Sequence, residues 1–488
     1  MYQFQTQSEG VHIKLQRGRY TPLIASVTIY VALAALSYVF VGDRSPRPLS
    51  PLTTVVDWAS WYSVIVAFPI LTALSTLPFV GNRSAYIIVP VALITPTYLV
   101  LYSFFLVYGL PPLGLLLFVI PLAALVPAFI ILSVYAVPLI MALTASANVE
   151  RSEVGMRRMP SWFYFTIIGV AVGLTIIDIV SRYLALGKDP SSLISVVSDV
   201  GWAAQVGARD LIHGINPYAA KLPPWGGPAP LSYGPMEFVL LAPFAPLSID
   251  AGAHVASFFY AFLTALGVFM TVRLYRKDLA LPAVAFFVAL PVTYYVIEAA
   301  FTQHIIAAAL LAWTVYFYLS GRTRLSGLFM GLAGLTIGIP FALVIPFFFG
   351  AGKSERLRLL EGYVPVVLAL AGGVFLMFGN HALSSINAFT GVINFYGLSQ
   401  YLTAYANSIL KWIPTAAIFV WFVAASVKVR AREEAVKVSA IFTLLLPFAV
   451  GYFYPFFFIW QGLLLIIYMF MRMEVGEPWK STYSAGSQ

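Results

Sequence analysis

The chain has 488 residues, of which 60% are hydrophobic and 10% are charged, and its formal net charge is +9. Its mean hydropathy of +0.88 excludes an ordinary soluble globular domain and indicates that lipid is its main solvent. It contains no cysteine, which excludes disulfides, thiolate metal sites and thiol nucleophiles.

Apolar runs recur along almost the whole chain. Because only a helix satisfies its own backbone hydrogen bonds in lipid as an open element, we predict an all-α polytopic membrane protein with about 12–14 transmembrane helices. The first run, Thr21–Val41, follows basic residues and lacks a small-residue cleavage site. We therefore expect a retained helix rather than a removable signal peptide.

The basic residues predict the orientation. If the amino terminus is cytoplasmic and the chain alternates, the cytoplasmic termini and short loops hold 21 of the 28 Lys and Arg residues. This bias follows the positive-inside rule and places the carboxyl terminus in the cytoplasm of a cell-membrane protein. The net charge thus indicates orientation, and we expect no nucleic-acid partner.

The chain divides into three regions. Residues 1–150 form a predicted accessory four-helix transmembrane module, the region where we would expect a protein partner to bind. Residues 151–350 form a second module, and residues 351–488 form carboxyl-terminal transmembrane helices. Within the second module, Leu325–Phe349 has basic residues at both ends and several glycines, which favours a hairpin of two short helices.

A long non-hydrophobic segment follows the first helix of the second module. It starts at about residue 185, and with the return to the next span the predicted external loop covers 185–251. Ser198 followed by Asp199 is typical of a helix start, and Gly214 suits the position after its end. A Pro/Gly-rich stretch leads to Phe238–Leu247, which is too short to span and is predicted to lie in the membrane interface.

These residues resemble a known family. An acidic residue after the first helix of the module, G-x-N-P-Y at Gly214–Tyr218, Y-x-P at Tyr233–Pro235 and L-L-A-P-F-A-P-L at Leu240–Leu247 follow one another. The pattern is similar to the polyprenol-phosphate-mannose-dependent mannosyltransferases of the GT-C superfamily. The resemblance covers about residues 162–349. The charged lysine that such proteins often carry in a Gly-rich hairpin is absent from Leu335–Phe341.

The resemblance implies a GT-C-like fold and an inverting membrane glycosyltransferase. Such an enzyme takes a mannose-like hexose from a polyprenyl-phosphate donor, in contact with membrane lipid, and transfers it to a glycan, lipid or protein acceptor. The reaction needs a general base and a cradle for the departing phosphate. By the family's pattern the base is Asp199. A carboxylate in a first helical turn is also explained by the helix dipole, and Asp210 is an alternative base.

Further polar residues are candidates for substrate binding. Each has a structural explanation beside it: a solvated helix face, turn chemistry, interfacial aromatics or a satisfied helix end. The candidates are Arg209, His213, Asn216, Tyr218, Tyr233, Glu298, Gln303 and His304.

We predict no dedicated metal or haem ligands, because the five histidines never pair at helical spacing. A requirement for a divalent metal is left open. The rival to the enzyme is a non-enzymatic membrane subunit or a transporter-like helical bundle of a larger complex.

Overall fold

The structure is a computed structural model that describes residues 159–186, 197–218, 221–222, 229–230, 234–379, 413–449 and 458–472, with the single positions 67, 71 and 75. Almost all of this part of the chain is helical, as an all-α membrane protein requires. Apart from these three positions, the predicted module at residues 1–150 lies outside the described residues, as do residues 380–412.

We number the described helices in chain order. They are α1 (Ser161–Leu186), α2 (Asp199–Ile212), α3 (Pro235–Leu241), α4 (Ile249–Tyr275), α5 (Ala280–Ala289), α6 (Pro291–Glu298), α7 (Thr302–Leu319), α8 (Thr323–Ile337), α9 (Val344–Gly350), α10 (Lys353–Phe378), α11 (Ile413–Val427), α12 (Arg432–Ala449) and α13 (Phe458–Arg472). Short 3-10 turns at Ala242–Phe244 and Ile339–Leu343 extend α3 and precede α9. Strands β1 (Lys221–Leu222) and β2 (Ala229–Pro230) form a two-residue antiparallel ladder.

Four of these helices are long and apolar enough to cross a membrane. They are α1, α4, α7 and α10, and the bent pair α5–α6 makes a fifth candidate. The single span predicted at Leu281–Ile297 is therefore interrupted. Pro291 offers no backbone N–H and starts α6 at a bend of 58°. The hydroxyl of Thr293 donates 2.8 Å to the carbonyl oxygen of Phe287, which also accepts from the Leu290 N–H.

The predicted hairpin at Leu325–Phe349 is present. Helix α8 runs to Gly338, whose φ of +80° suits glycine, and the chain returns through the 3-10 turn and α9. Both ends of the hairpin lie close to α12. A Cβ on Gly321 would lie 3.5 Å from the Arg432 guanidinium, and one on Gly350 would lie 3.0 Å from the carbonyl oxygen of Ala431.

The loops predicted to be cytoplasmic from α4 onward meet at one end of the bundle, which we call the basic end. Arg432 forms an ion pair with Glu355 and donates 3.0 Å to the carbonyl oxygen of Tyr318. The hydroxyl of Tyr275 donates 2.8 Å to Glu433. Loops that are more than 150 residues apart in the sequence thus lie at the same end of the bundle, as alternation of the spans requires.

The core lies around α7, which is buried along most of its length between α4, α8 and α13. Small residues on α7 allow close approach: a Cβ on Gly267 of α4 would lie 2.7 Å from the Cβ of Ala312. Helix α1 is peripheral, and Trp162, Phe165 and Ile177 expose most of their side chains. These exposed apolar faces are those expected of helices in contact with lipid.

The residues between α1 and α4 form what we call the connecting segment (187–248). Its described part begins as predicted: Ser198 caps α2, because its Oγ accepts 3.1 Å from the Gly201 N–H. The helix ends before Gly214, whose φ is +73°. Ser248 caps α4 in the same way as Ser198 caps α2. The short helix predicted at Phe238–Leu247 is present as α3 and its 3-10 extension.

Candidate functional site

The site is built around the break between α6 and α7. Glu298 ends α6 and Thr302 starts α7, and between them Ala300 has a φ of +52°, which is uncommon for a residue with a Cβ. The Phe301 N–H reaches back 2.9 Å to the carbonyl oxygen of Val296. Because the helix is interrupted here, the backbone carbonyl oxygens of the break and the Glu298 carboxyl can bind groups from neighbouring helices. It lies at the end of the bundle opposite the basic end, which we call the segment end.

Helix α1 contributes an arginine and an aspartate to the segment end, near the α6–α7 break. Arg182 approaches the carboxylate of Glu298 to 2.5 Å, and these side chains are 22% and 3% exposed. One turn earlier, the buried Asp178 accepts a hydrogen bond from the hydroxyl of Tyr294. Charged groups are expensive at membrane depth and are paired when they occur there. The pairs therefore fix α1 to α6 at the break.

His254 of α4 joins the same network. Its Nε2 lies 3.0 Å from the carbonyl oxygen of Glu298. Its Nδ1 lies 3.0 Å from the carbonyl oxygen of Asp250 and 3.2 Å from the hydroxyl of Tyr183. The ring of His254 therefore ties α4 to the end of α6 and to α1.

A second carboxyl reaches the break from the connecting segment. Glu237 of α3 is fully buried, and its Oε1 accepts 2.9 Å from the hydroxyl of Thr302, the first residue of α7. The Gln303 backbone N–H also donates to this carboxyl. Burial raises the pKa of Glu237 to about 8, and these two hydrogen bonds offset only part of that effect. Glu237 is therefore largely protonated at neutral pH.

The first turn of α2 lies directly on the break. The Ser198 N–H donates a hydrogen bond of 2.7 Å to the carbonyl oxygen of Ala299. The Ser198 hydroxyl lies 3.4 Å from the carbonyl oxygen of Ala300. A Cβ on Gly201 would lie 2.1 Å from the same Ala300 carbonyl oxygen, so only glycine fits. Asp199 is the first residue of this helix, and its backbone is held beside the break. The side chain of Asp199 lies outside the described residues.

The tip of the α8–α9 hairpin reaches the other side of α3. The Gly234 N–H donates a hydrogen bond of 3.2 Å to the carbonyl oxygen of Thr336. A Cβ on Gly234 would lie 1.9 Å from the carbonyl oxygen of Leu335. The connecting segment is thus held at two points, by the break and by the hairpin tip. Both contacts depend on a glycine that lets two backbones approach.

Two polar residues of α2, Gln205 and Arg209, face the protein rather than solvent. Gln205 is fully buried and donates 2.8 Å to the carbonyl oxygen of Phe244. Arg209 donates 3.0 Å through Nε to the carbonyl oxygen of Ala245, and a terminal nitrogen donates to that of Leu247. These contacts hold the 3-10 turn after α3. For Gln205 and Arg209 the prediction of a solvated helix face is therefore wrong, whereas phosphate binding by Arg209 stays a prediction.

The end of α2 is more open. His213 is exposed, and its Nδ1 lies 2.7 Å from the carbonyl oxygen of Arg209. Asp210 is half-buried, and burial raises its pKa, although the charge of His213 acts against this. Asp210 is 11 residues beyond Asp199, which is about 16 Å along a helix. The alternative base therefore lies away from the break.

The G-x-N-P-Y motif makes a turn and an anchor. The Asn216 side-chain oxygen accepts 3.0 Å from the Tyr218 N–H, which is an Asx turn. Tyr218 is buried, with ring centroids 5.5 Å from Phe238 and 5.7 Å from Phe378. Burial, and then the charge of Glu237, raises the pKa of Tyr218. Tyr233, the remaining aromatic candidate, lies outside the described residues.

Gln303 and His304 lie just beyond the break. The Gln303 side-chain nitrogen lies 3.1 Å from Nε2 of His304. The His304 ring stacks on Trp460 of α13 at 5.1 Å, and the Trp460 indole N–H donates 3.0 Å to the His304 carbonyl oxygen. The predicted trio Glu298, Gln303 and His304 is therefore assembled at one level, with Glu298 towards α1 and His304 towards α13.

Sequence reasoning missed four residues of the site. Asp178 and Arg182 lie four residues apart within an apolar span, which is itself a signal for a functional pair. Glu237 is an isolated charge at the start of an apolar run. His254 enters the sequence analysis only as one of the five histidines that never pair at helical spacing. Their common signal is charge or hydrogen-bonding capacity within an otherwise apolar helix.

A separate hollow of about 390 Å³ lies between α8 and α10 towards the basic end, beside Arg324, Leu328 and Glu361. It is away from the break and does not belong to the site. Within the described ranges, no three His, Asp or Glu side chains are grouped closely enough to hold a metal ion.

In comparisons with known proteins, no family model matches this sequence, and no curated protein matches it.

Proposed function

We propose that the chain is an integral membrane glycosyltransferase of the GT-C type, with its active site at the segment end, on the non-cytoplasmic face. It would move a hexose from a polyprenyl-phosphate donor to an external glycan, lipid or protein acceptor. The observation that carries the proposal is the contact between the first turn of α2 and the α6–α7 break. It holds the backbone of Asp199 beside an assembly of buried acidic and hydrogen-bonding groups.

The proposed reaction is a single displacement. The acceptor oxygen forms a bond to the anomeric carbon while the bond from that carbon to the phosphate oxygen breaks. The polyprenyl phosphate leaves with the electron pair, and the carboxylate of Asp199 takes the proton of the acceptor hydroxyl. Attack opposite the leaving group inverts the anomeric centre.

The phosphate needs a cationic or hydrogen-bonding partner, and the tip of the hairpin carries no charge. Arg182 is our candidate for this role. Its side chain is partly exposed, on the peripheral helix α1. A lipid-linked phosphate that arrives in the membrane plane would meet α1 before the buried residues of α7. A guanidinium suits phosphate because it offers several donors in one plane.

The test is transfer by membranes that contain the full chain, with a matched pair of variants. The donors are synthetic polyprenyl-phosphate mannose and, in parallel, the glucose analogue, each radiolabelled in the sugar. Asp199→Asn is expected to lower incorporation into lipid, glycan and protein fractions by about 100-fold or more, because it removes a general base. Asp210→Asn, on the same helix but away from the break, is the control and should stay within about twofold of the parent chain.

Undiminished transfer by a folded Asp199→Asn variant would contradict the proposed mechanism. A parent chain that transfers neither sugar would contradict the proposed function. That result would favour a non-enzymatic membrane component.

A further inference from the structure

The Glu237 carboxyl has features that the proposed reaction does not use. It is fully buried, and it belongs to the connecting segment while its hydrogen-bond donors belong to α7. Its Oε1 accepts from Thr302, but no donor among the described residues reaches Oε2. Ionisation of a buried carboxyl with one uncompensated oxygen is costly, whereas the neutral form is tolerated.

Glu237 lies where a change in its position would also change the contacts of α2. Glu237 follows Gly234, which is fixed to the hairpin tip, and Thr302 follows the break on which Ser198 and Gly201 lie. Phe238, the next residue of α3, packs on Tyr218, which ends the turn after α2. Movement of Glu237 away from Thr302 would therefore also move Phe238 and the contact that it makes with Tyr218 in the turn after α2.

We propose that Glu237 is a positioning residue whose protonated carboxyl closes α3 onto the start of α7, so that proton loss releases α3 and its contacts with α2. The carboxyl is held in the closed form by Thr302 and the Gln303 backbone. In the open form it meets water and ionises. Closure positions Asp199, so the consequence for sugar transfer rests on the proposed function, whereas the contact itself does not.

The surroundings of Glu237 contain few groups that titrate. Tyr218 faces it from the turn after α2, and the hydroxyl of Tyr260 of α4 donates 2.7 Å to the α3 backbone at Leu240. On α7 the neighbouring ionisable residue is His304, whose ring stacks on Trp460. Helices α8 and α10 meet α3 through uncharged residues, the hairpin tip and Phe378. Helix α2 also packs on α3 and carries Arg209, whose guanidinium binds the carbonyl oxygens of Ala245 and Leu247, with Asp210 and His213 near its more open end. Among these groups Glu237 is the fully buried acid.

The sign of the pH dependence follows from these facts. The closed segment binds the Glu237 proton more tightly than the open one, so opening becomes easier as pH rises from the ordinary carboxyl range. The effect levels off above about pH 8, where the buried carboxyl itself ionises. Between pH 5.5 and 8.5 the opening equilibrium should increase on the order of 100-fold.

The experiment is hydrogen–deuterium exchange of the full chain in lipid nanodiscs at pH 5.5, 7 and 8.5. It compares the parent chain with Glu237→Gln at each pH, which cancels the pH dependence of intrinsic exchange. Glutamine keeps an oxygen for Thr302 but cannot ionise. We expect α2 amides of the parent chain to lose protection relative to the variant by about 100-fold as pH rises, while α12 amides do not differ.

Equal protection of α2 in the two chains at every pH would overturn the proposal. Glu237→Ala should expose α2 at all three pH values, and protection as high as in the glutamine variant would also contradict the proposal. Exchange does not depend on transfer. Failure of Asp199→Asn to lower transfer would therefore overturn the proposed function without affecting this result.

Discussion

The two ends of the helical bundle hold their charges in different ways. At the basic end, Arg432 and Glu355 form an ion pair in which each side chain is about one quarter exposed, and the arginine also binds a helix-terminal carbonyl. At the segment end, the carboxyls of Asp178, Glu237 and Glu298 are almost fully buried. Arg182 pairs with Glu298, whereas Asp178 and Glu237 accept from the hydroxyls of Tyr294 and Thr302. The basic end resembles an ordinary helix-end network, whereas the segment end gathers buried acidic groups, a feature of functional sites.

The largest expected difference concerns the two arginines. Arg182→Met leaves Glu298 buried without its cation, which should lower the free energy of unfolding by about 3–5 kcal/mol. Arg432→Met removes a partly exposed pair and should cost about 1 kcal/mol. Denaturant unfolding in detergent, followed by tryptophan fluorescence, measures both values. Equal losses would show that the two ends do not differ as described.

Backbone contact at the break (Gly201) and at the hairpin tip (Gly234) is tested by adding one methyl group. In Gly201→Ala or Gly234→Ala the new Cβ would lie about 2 Å from a carbonyl oxygen, so the segment must shift. We expect each to lower stability by about 1–3 kcal/mol and transfer by about tenfold or more. Gly173→Ala is the control, since its Cβ meets nothing within 4 Å. If transfer survives in the first two variants, these two backbone contacts do not position the site.

Loss of the Arg432–Glu355 ion pair at the basic end should have little effect on sugar transfer. Arg432→Met is expected to leave transfer within about twofold of the parent chain, because the ion pair lies at the opposite end of the bundle from the break. The pair is also partly exposed and therefore contributes little to stability. The measurement is initial transfer rate per folded protein. A loss similar to that of the glycine variants would mean that the two ends are coupled.

The smallest effect is expected at Asp210. Burial raises the pKa of this half-buried carboxyl, so its ionised form at neutral pH is slightly less favourable in the folded chain than in the unfolded one. Asp210→Asn removes that cost and should change the free energy of unfolding at pH 7 by no more than about 0.5 kcal/mol. A clear loss of stability would show that the carboxylate has a partner that favours its charge.

Much of the fold is visible in the sequence because local patterns determine it. Ser198, Gly214 and Ser248 mark helix ends in the positions predicted, since caps and positive φ angles depend on neighbouring residues alone. The hairpin between α8 and α9 followed from basic residues at both of its ends. The predicted span at Leu281–Ile297 was wrong in form, because apolar composition does not reveal that Pro291 bends it by 58°.

The candidate site was only partly predictable. Glu298, Gln303 and His304 were chosen for their place at a predicted helix end, and the structure gathers them there. Arg182 and Glu237 were missed because their partners, Glu298 and Thr302, are 116 and 65 residues away in sequence. Such pairs carry no local pattern, whereas a charge within an apolar run gives only a general signal.

The sequence by itself determined that the chain is an all-α membrane protein, where its helices are capped and which loops share the basic end. These properties follow from hydropathy, backbone chemistry and the distribution of Lys and Arg. Only the tertiary structure decided that α2 lies on the α6–α7 break and that Glu237 is buried against Thr302. Both depend on close contacts between distant parts of the chain, and these contacts exist only once the helices have packed.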